Sequence, residues 1–318
     1  MTDNEPHDAP KRVERPGDTA HDPARDTGRD SGHETPAQTA DAHATAAADT
    51  RDHRWRRELP KWALWLSLAM LAWFVIAVFG PKLGLFGWQT GFLFMTVTAG
   101  PPILGVTALF ALIALLFAWF VKPRGAWWKA AIALAIPAII FLGLLSVRAQ
   151  GAAVPPIHDV ATDLRDPPTF SARTMAMREE WGANPIVDYG TPLGQLKLWR
   201  DRVDPDMAAR NHADIIAEEY DGLDPIVLRN TTPDQALDAV VAAMGEIGLT
   251  DVRRDAAAGT VEGVAETFAY GFRDDVVARI EGRQIDLRSV SRVGVGDLGY
   301  NADRLRELRE AIVDRLGQ

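Results

Sequence analysis

Three stretches in the second half of the sequence gather polar side chains at spacings that suit catalysis or ligand binding. The first is Ile157-His158-Asp159-Val160-Ala161-Thr162-Asp163, followed by Asp166-Pro167-Pro168. One imidazole beside two or three carboxylates can hold a metal or do acid/base work. On an extended strand, however, His158 and Asp159 point to opposite faces, and a strand running into a loop accounts equally for Thr162, Asp163 and the prolines. The second stretch is Phe272-Arg273-Asp274-Asp275, read as a turn between strands. Paired carboxylates there can share a proton or take a cation, or they are simply solvated turn acids. The third runs from Arg288 through Ser289, Ser291, Arg292, Gly294, Gly296, Asp297 and Gly299 to Asn301. Arg288 and Arg292 share a sheet face, and the glycines allow a tight loop that feeds a helix N-terminus, where free N–H groups can hold an anion. The structural alternative is that Asn301 caps that helix and Arg288 pairs with sheet carboxylates such as Glu262 or Glu266.

Several chemistries are excluded or disfavoured. The chain has no cysteine, so thiolate catalysis, disulfides and Cys-ligated zinc are absent. The glycine loop is neither a Walker loop nor a G-x-G-x-x-G in its βαβ setting, and no cofactor or metal is expected. Ser289 and Ser291 have only His158 and His212 within the domain to draw on, which leaves few ways to build a Ser-His-Asp triad.

The elements that position these residues follow from periodicity. Thr232-Pro233-Asp234-Gln235 predicts a capping box, with proline at the first helical position. Leu237, Val240, Val241, Met244 and Ile247 then fall on one helix face, and Gly248 ends it. A second helix is predicted over 302–316, with Leu305, Leu308, Ile312 and Leu316 as its stripe. Strand patterns cover 225–229, 249–254, 259–270, 276–281 and 284–293, with another at 157–161 and one or two helices within 199–220. The expectation is an α+β domain of order β-α-β-β-β-β-α, an antiparallel sheet packed with helices, in an order like that of the TATA-binding-protein fold.

Ahead of this domain the composition changes twice. Residues 62–79, 101–121 and 127–147 are apolar runs interrupted only by Lys129, long enough to cross a hydrocarbon core. Trp62, Trp65, Trp119, Trp127 and Trp128 sit near their ends, as an aromatic belt does. Residues 54–148 carry nine Lys and Arg against Glu58 alone, so three transmembrane helices are expected with the Arg54–Lys61 and Lys122–Lys129 clusters cytoplasmic. An odd number of crossings places residues 149–318 outside the cytoplasm. Leu83–Ala99 is also apolar, but its glycines and the charge rule favour an interfacial segment or an extension of the second span. Residues 1–53 hold no aromatic residue and one branched aliphatic, Val13, and are expected to form a disordered cytoplasmic tail without a secretory signal. Its histidines (His7, His21, His33, His43, His53) match no compact ligand spacing. The soluble parts are acidic with no basic stripe, which argues against nucleic acid.

Residues 155–317 resemble the bacterial domain of unknown function 1499. The likeness rests on Ile157-His158-Asp159-Val160, Thr162-Asp163, Pro167-Pro168, Asn184-Pro185, Tyr220-x-Gly222-Leu223-Asp224-Pro225, Phe272-Arg273-Asp274-Asp275-Val276-x-x-Arg279, and the run from Asp286 to Asn301. At Asp224-Pro225 the chain departs from the Tyr-Pro-Asp sequence that members tend to carry. The resemblance implies a multi-pass protein of the bacterial inner membrane with a periplasmic domain, and supplies no reaction. Two classes of function therefore stand. One is a binding module whose partner, beyond the lipid bilayer itself, is an envelope protein or an anionic ligand. The other is an envelope hydrolase using His158, Asp159 or Asp163 with Arg288 or Arg292 as an oxyanion or phosphate clamp.

Overall fold

A computed structural model describes residues 36–121 and 126–317. Most of the tail expected to be unstructured lies outside these residues, as do Lys122 and Arg124 in the turn between the later spans. Residues 36–53, expected to be part of that tail, instead open helix α1 (Pro36–Phe79). Their seven alanines, from Ala37 to Ala48, have the highest intrinsic helix propensity and need no buried face to form one.

Among the described residues, three helical segments are long and apolar enough to cross a membrane: Glu58–Phe79 of α1, α2 (Gly100–Phe120) and α3 (Trp127–Ala153). Small side chains let them approach closely, with Ala63, Ala111, Ala114, Ala130 and Ala133 buried together. Ser67 Oγ donates across that contact to the Ala133 carbonyl at 2.7 Å. Outward positions such as Leu109, Leu112, Ile139 and Leu142 stay exposed, which suits a lipid surround. The apolar segment at 83–99 is not a separate crossing helix. It is a loop and then a π-helix (Gln89–Thr98) that runs into α2 through a helical Ala99. Thr96 and Thr98 hydroxyls donate five residues back, to the carbonyls of Gly91 and Leu93, at 2.9 and 2.8 Å. Helix α3 continues past the apolar run that ends at Val147, as far as Ala153.

The remainder is an α+β domain built on one antiparallel sheet. Its strands are β1 (Asp159–Ala161), β2 (Ile226–Val227), β3 (Thr250–Asp255), β4 (Thr260–Glu266), β5 (Arg273–Glu281) and β6 (Gln284–Ser291). The order across the sheet is β1-β6-β5-β4-β3, with β2 also pairing to β6. Helices α7 (Pro233–Glu246) and α8 (Tyr300–Leu316) cover one face. There Leu237, Val240, Met244, Leu305, Leu308 and Ile312 close over Val261, Val276, Ala278, Ile285 and Leu287. The predicted capping box is present: Thr232 N donates to Gln235 Oε1 at 2.9 Å, and Gln235 N to Thr232 Oγ1 at 3.3 Å.

Helix α4 (Ala172–Trp181) lies against the other face, where Arg178 reaches Asp275 and Thr174 reaches Glu262, and of the next two helices, α5 (Pro205–Ala209) and α6 (His212–Glu219), the second lies beside β1. The sequence pattern missed α4 because its buried residues are Thr174 and Arg178, so it has no apolar stripe. Two boundaries also shift. Strand β4 stops at Glu266, because Tyr270 (φ 62°) and Gly271 (φ 60°) turn the chain. Strand β5 starts at Arg273, so Asp274 and Asp275 are strand residues and not turn acids. Cations wait for them on both faces of the sheet, and those pairs hold the acids in the ladder.

Candidate functional site

Alternation along β5 and β6 sorts the candidate residues onto two faces. Asp275 lies opposite Val290, and Asp159 opposite the same residue on the other side, so both carboxylates share a face with Arg288 and Arg292. On that face Arg288 donates through Nε and Nη2 to the two oxygens of Asp159, at 2.9 and 2.7 Å. Tyr189 donates its hydroxyl to Asp159 at 2.7 Å, and the Arg288 guanidinium lies 5.1 Å from the Tyr189 ring centre. Arg292 grips Asp275 in the same bidentate way, at 2.9 and 2.6 Å. Arg178 reaches down from α4 to the same carboxylate at 2.5 Å. Burial alone would raise the Asp159 carboxyl, but the Arg288 guanidinium, joined by His158 and the Tyr189 hydroxyl, outweighs it and holds the group below the usual range. The remaining Arg288 donors go to the Pro168 and Val187 carbonyls at 3.1 and 3.3 Å.

The helix-covered face carries a second polar group. Asn301, on the first turn of α8, accepts from Ser289 Oγ at 2.6 Å and donates to Ser291 Oγ at 2.9 Å and to the His158 carbonyl at 3.0 Å. Arg304, one turn on, donates to Ser289 Oγ and Asn301 Oδ1 and pairs with Asp274 at 2.8 Å. This knot ties β1, β5 and β6 to α8. No imidazole is among the hydrogen-bond partners of Ser289 or Ser291, so neither hydroxyl has the base that a nucleophile needs.

Asn301 is not the cap. Asp297 is, accepting from Gly299 N at 2.9 Å and Asn301 N at 2.7 Å. The anion at this helix N-terminus is thus the chain's own carboxylate. A Cβ at Gly296 would lie 3.1 Å from Pro156 Cα, so the glycine loop is packed against the strand-entry backbone and leaves no cradle. Burial raises the Asp297 carboxyl to about 6 despite those two N–H groups. Arg288 likewise does not pair with Glu262 or Glu266. Glu262 takes Ser171, Thr174 and Arg253, and Glu266 faces Lys82 and Arg273. Thr162 stitches the β1 end to β6, accepting from Leu287 N at 2.9 Å, and Asp163 caps a turn through Arg165 N and Asp166 N.

His158 is fully buried, with its ring stacked on Trp199 at 5.1 Å, and buried His212 meets the same indole edge-on. Neither imidazole makes a well-formed hydrogen bond at a ring nitrogen among the described residues, although the Pro185 and Val295 backbone stands close enough to His158 to favour its charged form slightly. Burial lowers both to about 4 and keeps them neutral. Arg178, Tyr189, Trp199 and Arg304 are not singled out by the sequence, and His212 only as one of two imidazoles available to a triad. They come from the irregular region and from helix faces, where no local pattern marks partners that lie 30 to 97 residues away.

The three sequence clusters therefore converge, as Asp159 with Arg288 and Asp275 with Arg292, but in the interior. Clefts open elsewhere. One of about 400 Å³ lies between the loop after α1 and the β4–β5 turn, lined by Lys82, Trp88, Glu180, Trp181, Glu266 and Arg273. A smaller one, about 220 Å³, lies beside Leu249, Glu266 and Tyr300. None of the twelve candidate residues lines either.

Fold and site together define an α+β domain, cross-tied by buried ion pairs, that follows helices suited to a membrane. Residues 159–312 match the profile of a family described as "Protein of unknown function (DUF1499)", which supports membership of that family for this domain. A comparison with curated proteins gives no match.

Proposed function

We propose that this chain is a multi-pass protein of the bacterial inner membrane, with a cytoplasmic N-terminus and a periplasmic domain that binds a partner or ligand without catalysing a reaction. The orientation rests on the basic clusters at Arg54–Lys61 and Lys122–Lys129 and on three crossings. It is supported by the docking of the β4–β5 turn on the helix ends. Tyr270 N donates to the Val78 carbonyl at 2.9 Å and its hydroxyl to Thr96 Oγ1 at 3.0 Å. Phe268 meets Phe79, and Phe92 meets both Tyr270 and Phe272. The domain thus rests beside the end of the first span, the side on which the third also emerges.

One observation carries the non-catalytic reading. The charged candidates Asp159, Asp275, Arg288 and Arg292 are all at most 4% exposed and spend their charge on one another. A clamp for substrate needs donors left open to it. In this reading His158, Asp159, Asp275, Arg288, Ser289, Ser291 and Asn301 hold the sheet to its coverings, and recognition occurs at the open clefts. Alkaline phosphatase fused after Pro156 should be active. An inactive fusion, with a cytoplasmic reporter active at the same point, overturns the placement. The purified full chain in detergent should turn over no ester or phosphate ester. Turnover abolished by Arg288→Lys, with the fold retained, overturns the non-catalytic assignment.

A further inference from the structure

The 400 Å³ cleft lies beside the end of the first candidate span, which closes at Phe79. Lys82 follows the end of α1 at Phe79 by three residues, and Gln89, on the same wall, begins the π-helix. Leu83 and Leu85, in the loop between them, are 72% and 68% exposed, a costly arrangement in water and a favourable one in the acyl region. Trp88 and Phe86 on this wall, and Trp181 and Tyr270 opposite, supply aromatic rings of the kind that favour a bilayer interface.

The charge pattern narrows the ligand. Two cations, Lys82 and Arg273, and two carboxylates, Glu180 and Glu266, line the cleft. Glu266 stands 3.6 Å from Lys82 and 3.5 Å from Arg273, looser than the 2.6–2.7 Å pairs in the domain interior. Glu180 is exposed and has no ion-pair partner among the described residues. A phosphate entering between the two cations exchanges weak, solvated pairs for charge-assisted bonds. Beside it, an ammonium would meet Glu180 and Glu266. A purely anionic headgroup leaves both carboxylates facing added negative charge. A quaternary ammonium has no N–H to donate to them.

We propose that this cleft binds the phosphoethanolamine headgroup of a zwitterionic phospholipid, with Lys82 and Arg273 holding the phosphate and Glu180 and Glu266 the primary ammonium. The proposal rests on the binding-module reading and names its ligand. Backbone geometry holds the walls together. Gly271, at φ +60°, brings the turn so close that a Cβ there would lie 3.3 Å from Lys82 Cα. Trp181 is anchored from behind, because the guanidinium of buried Arg292 lies 5.6 Å from its ring centre.

The test is native mass spectrometry of the detergent-solubilised full chain, titrated with phosphatidylethanolamine, phosphatidylglycerol or phosphatidylcholine of identical acyl chains. Phosphatidylethanolamine should be retained about tenfold more strongly than either competitor, a difference that two charge-assisted contacts readily supply. Lys82→Ala and Glu266→Gln should erase the preference. Glu180→Gln, which disturbs no internal pair, should reduce it while leaving the thermal unfolding temperature unchanged. Equal retention of the three lipids, or a preference untouched by all three substitutions, overturns the proposal. Displacement of bound lipid by free phosphoethanolamine at a similar concentration also overturns it, in favour of a soluble ligand. The titration is made in detergent and does not depend on orientation, so its failure is distinct from a failed fusion assay, and turnover is read separately.

Discussion

Acidification should destabilise the domain through two histidines that the fold keeps neutral. His158 stacks on Trp199 and His212 meets it edge-on, both fully buried, and burial lowers each from 6.5 to about 4. The Asp159 charge nearby opposes that shift and is outweighed, being already bound by Arg288. Lowering an imidazole this far corresponds to about 3 kcal/mol of stability, present above pH 6.5 and lost as pH falls towards 4. Asp297 has the opposite sign. Its carboxyl is raised from 3.8 to about 6, so its contribution is full below 3.8 and fades as pH rises through 6. Each unfolded imidazole is only half protonated at pH 6.5, and Asp297 releases a growing fraction of a proton as pH falls, so unfolding takes up about one net proton throughout pH 6.5 to 5. The sum is a loss of about 2 kcal/mol between pH 6.5 and 5. Asp159 and Glu262, held low by their partners, act in the same direction but only near and below 3.8 and 4.5. The assay is urea unfolding of the full chain in micelles, followed by tryptophan fluorescence at pH 5, 6 and 6.5. A His158→Phe/His212→Phe variant keeps both rings against Trp199 and leaves Asp297 alone in this window. Its stability should then fall as pH rises from 5 to 6. A wild-type stability that is flat or increases on acidification refutes the reasoning, as does a double variant that keeps the wild-type slope.

Three further outcomes follow from the packing. Arg288→Met leaves Asp159 buried with no cation and should cost about 3–5 kcal/mol, read as a lowered urea midpoint. An unchanged midpoint would mean that the pair is solvated. Thr232→Ala removes the capping box of α7 and should cost about 1 kcal/mol by the same measurement. Gly271→Val must adopt a positive φ against Lys82 and should cost about 1–2 kcal/mol. It should also speed hydrogen exchange at the Tyr270 amide, whose acceptor is the Val78 carbonyl.

The elements that sequence made legible are those whose partner is generic. Residues 62–79, 101–121 and 127–147 read as membrane helices because hydrocarbon accepts any apolar side chain, and the structure has helices there. Helices α7 and α8 were legible because Thr232, Gln235, Leu237, Val240, Met244, Leu305, Leu308 and Ile312 each act through a local cap or a periodic apolar face. The strands of the α+β sheet were readable for the same reason, although β5 begins three residues earlier than its apolar run suggests. Which residues share an ion pair was decided only by the tertiary structure. Arg288 is paired with Asp159 across 129 residues of sequence, and Arg178 with Asp275 across 97. Local spacing carries no information about such contacts. Helix α4 was invisible because its buried face is polar, and a buried arginine reads in sequence like a solvated one. The cleft beside Lys82 likewise exists only because a turn at residues 267–272 folds back onto a helix end almost 190 residues earlier. Apolar burial is non-directional and is written in composition and period, whereas charge pairing depends on distances that only the folded chain sets.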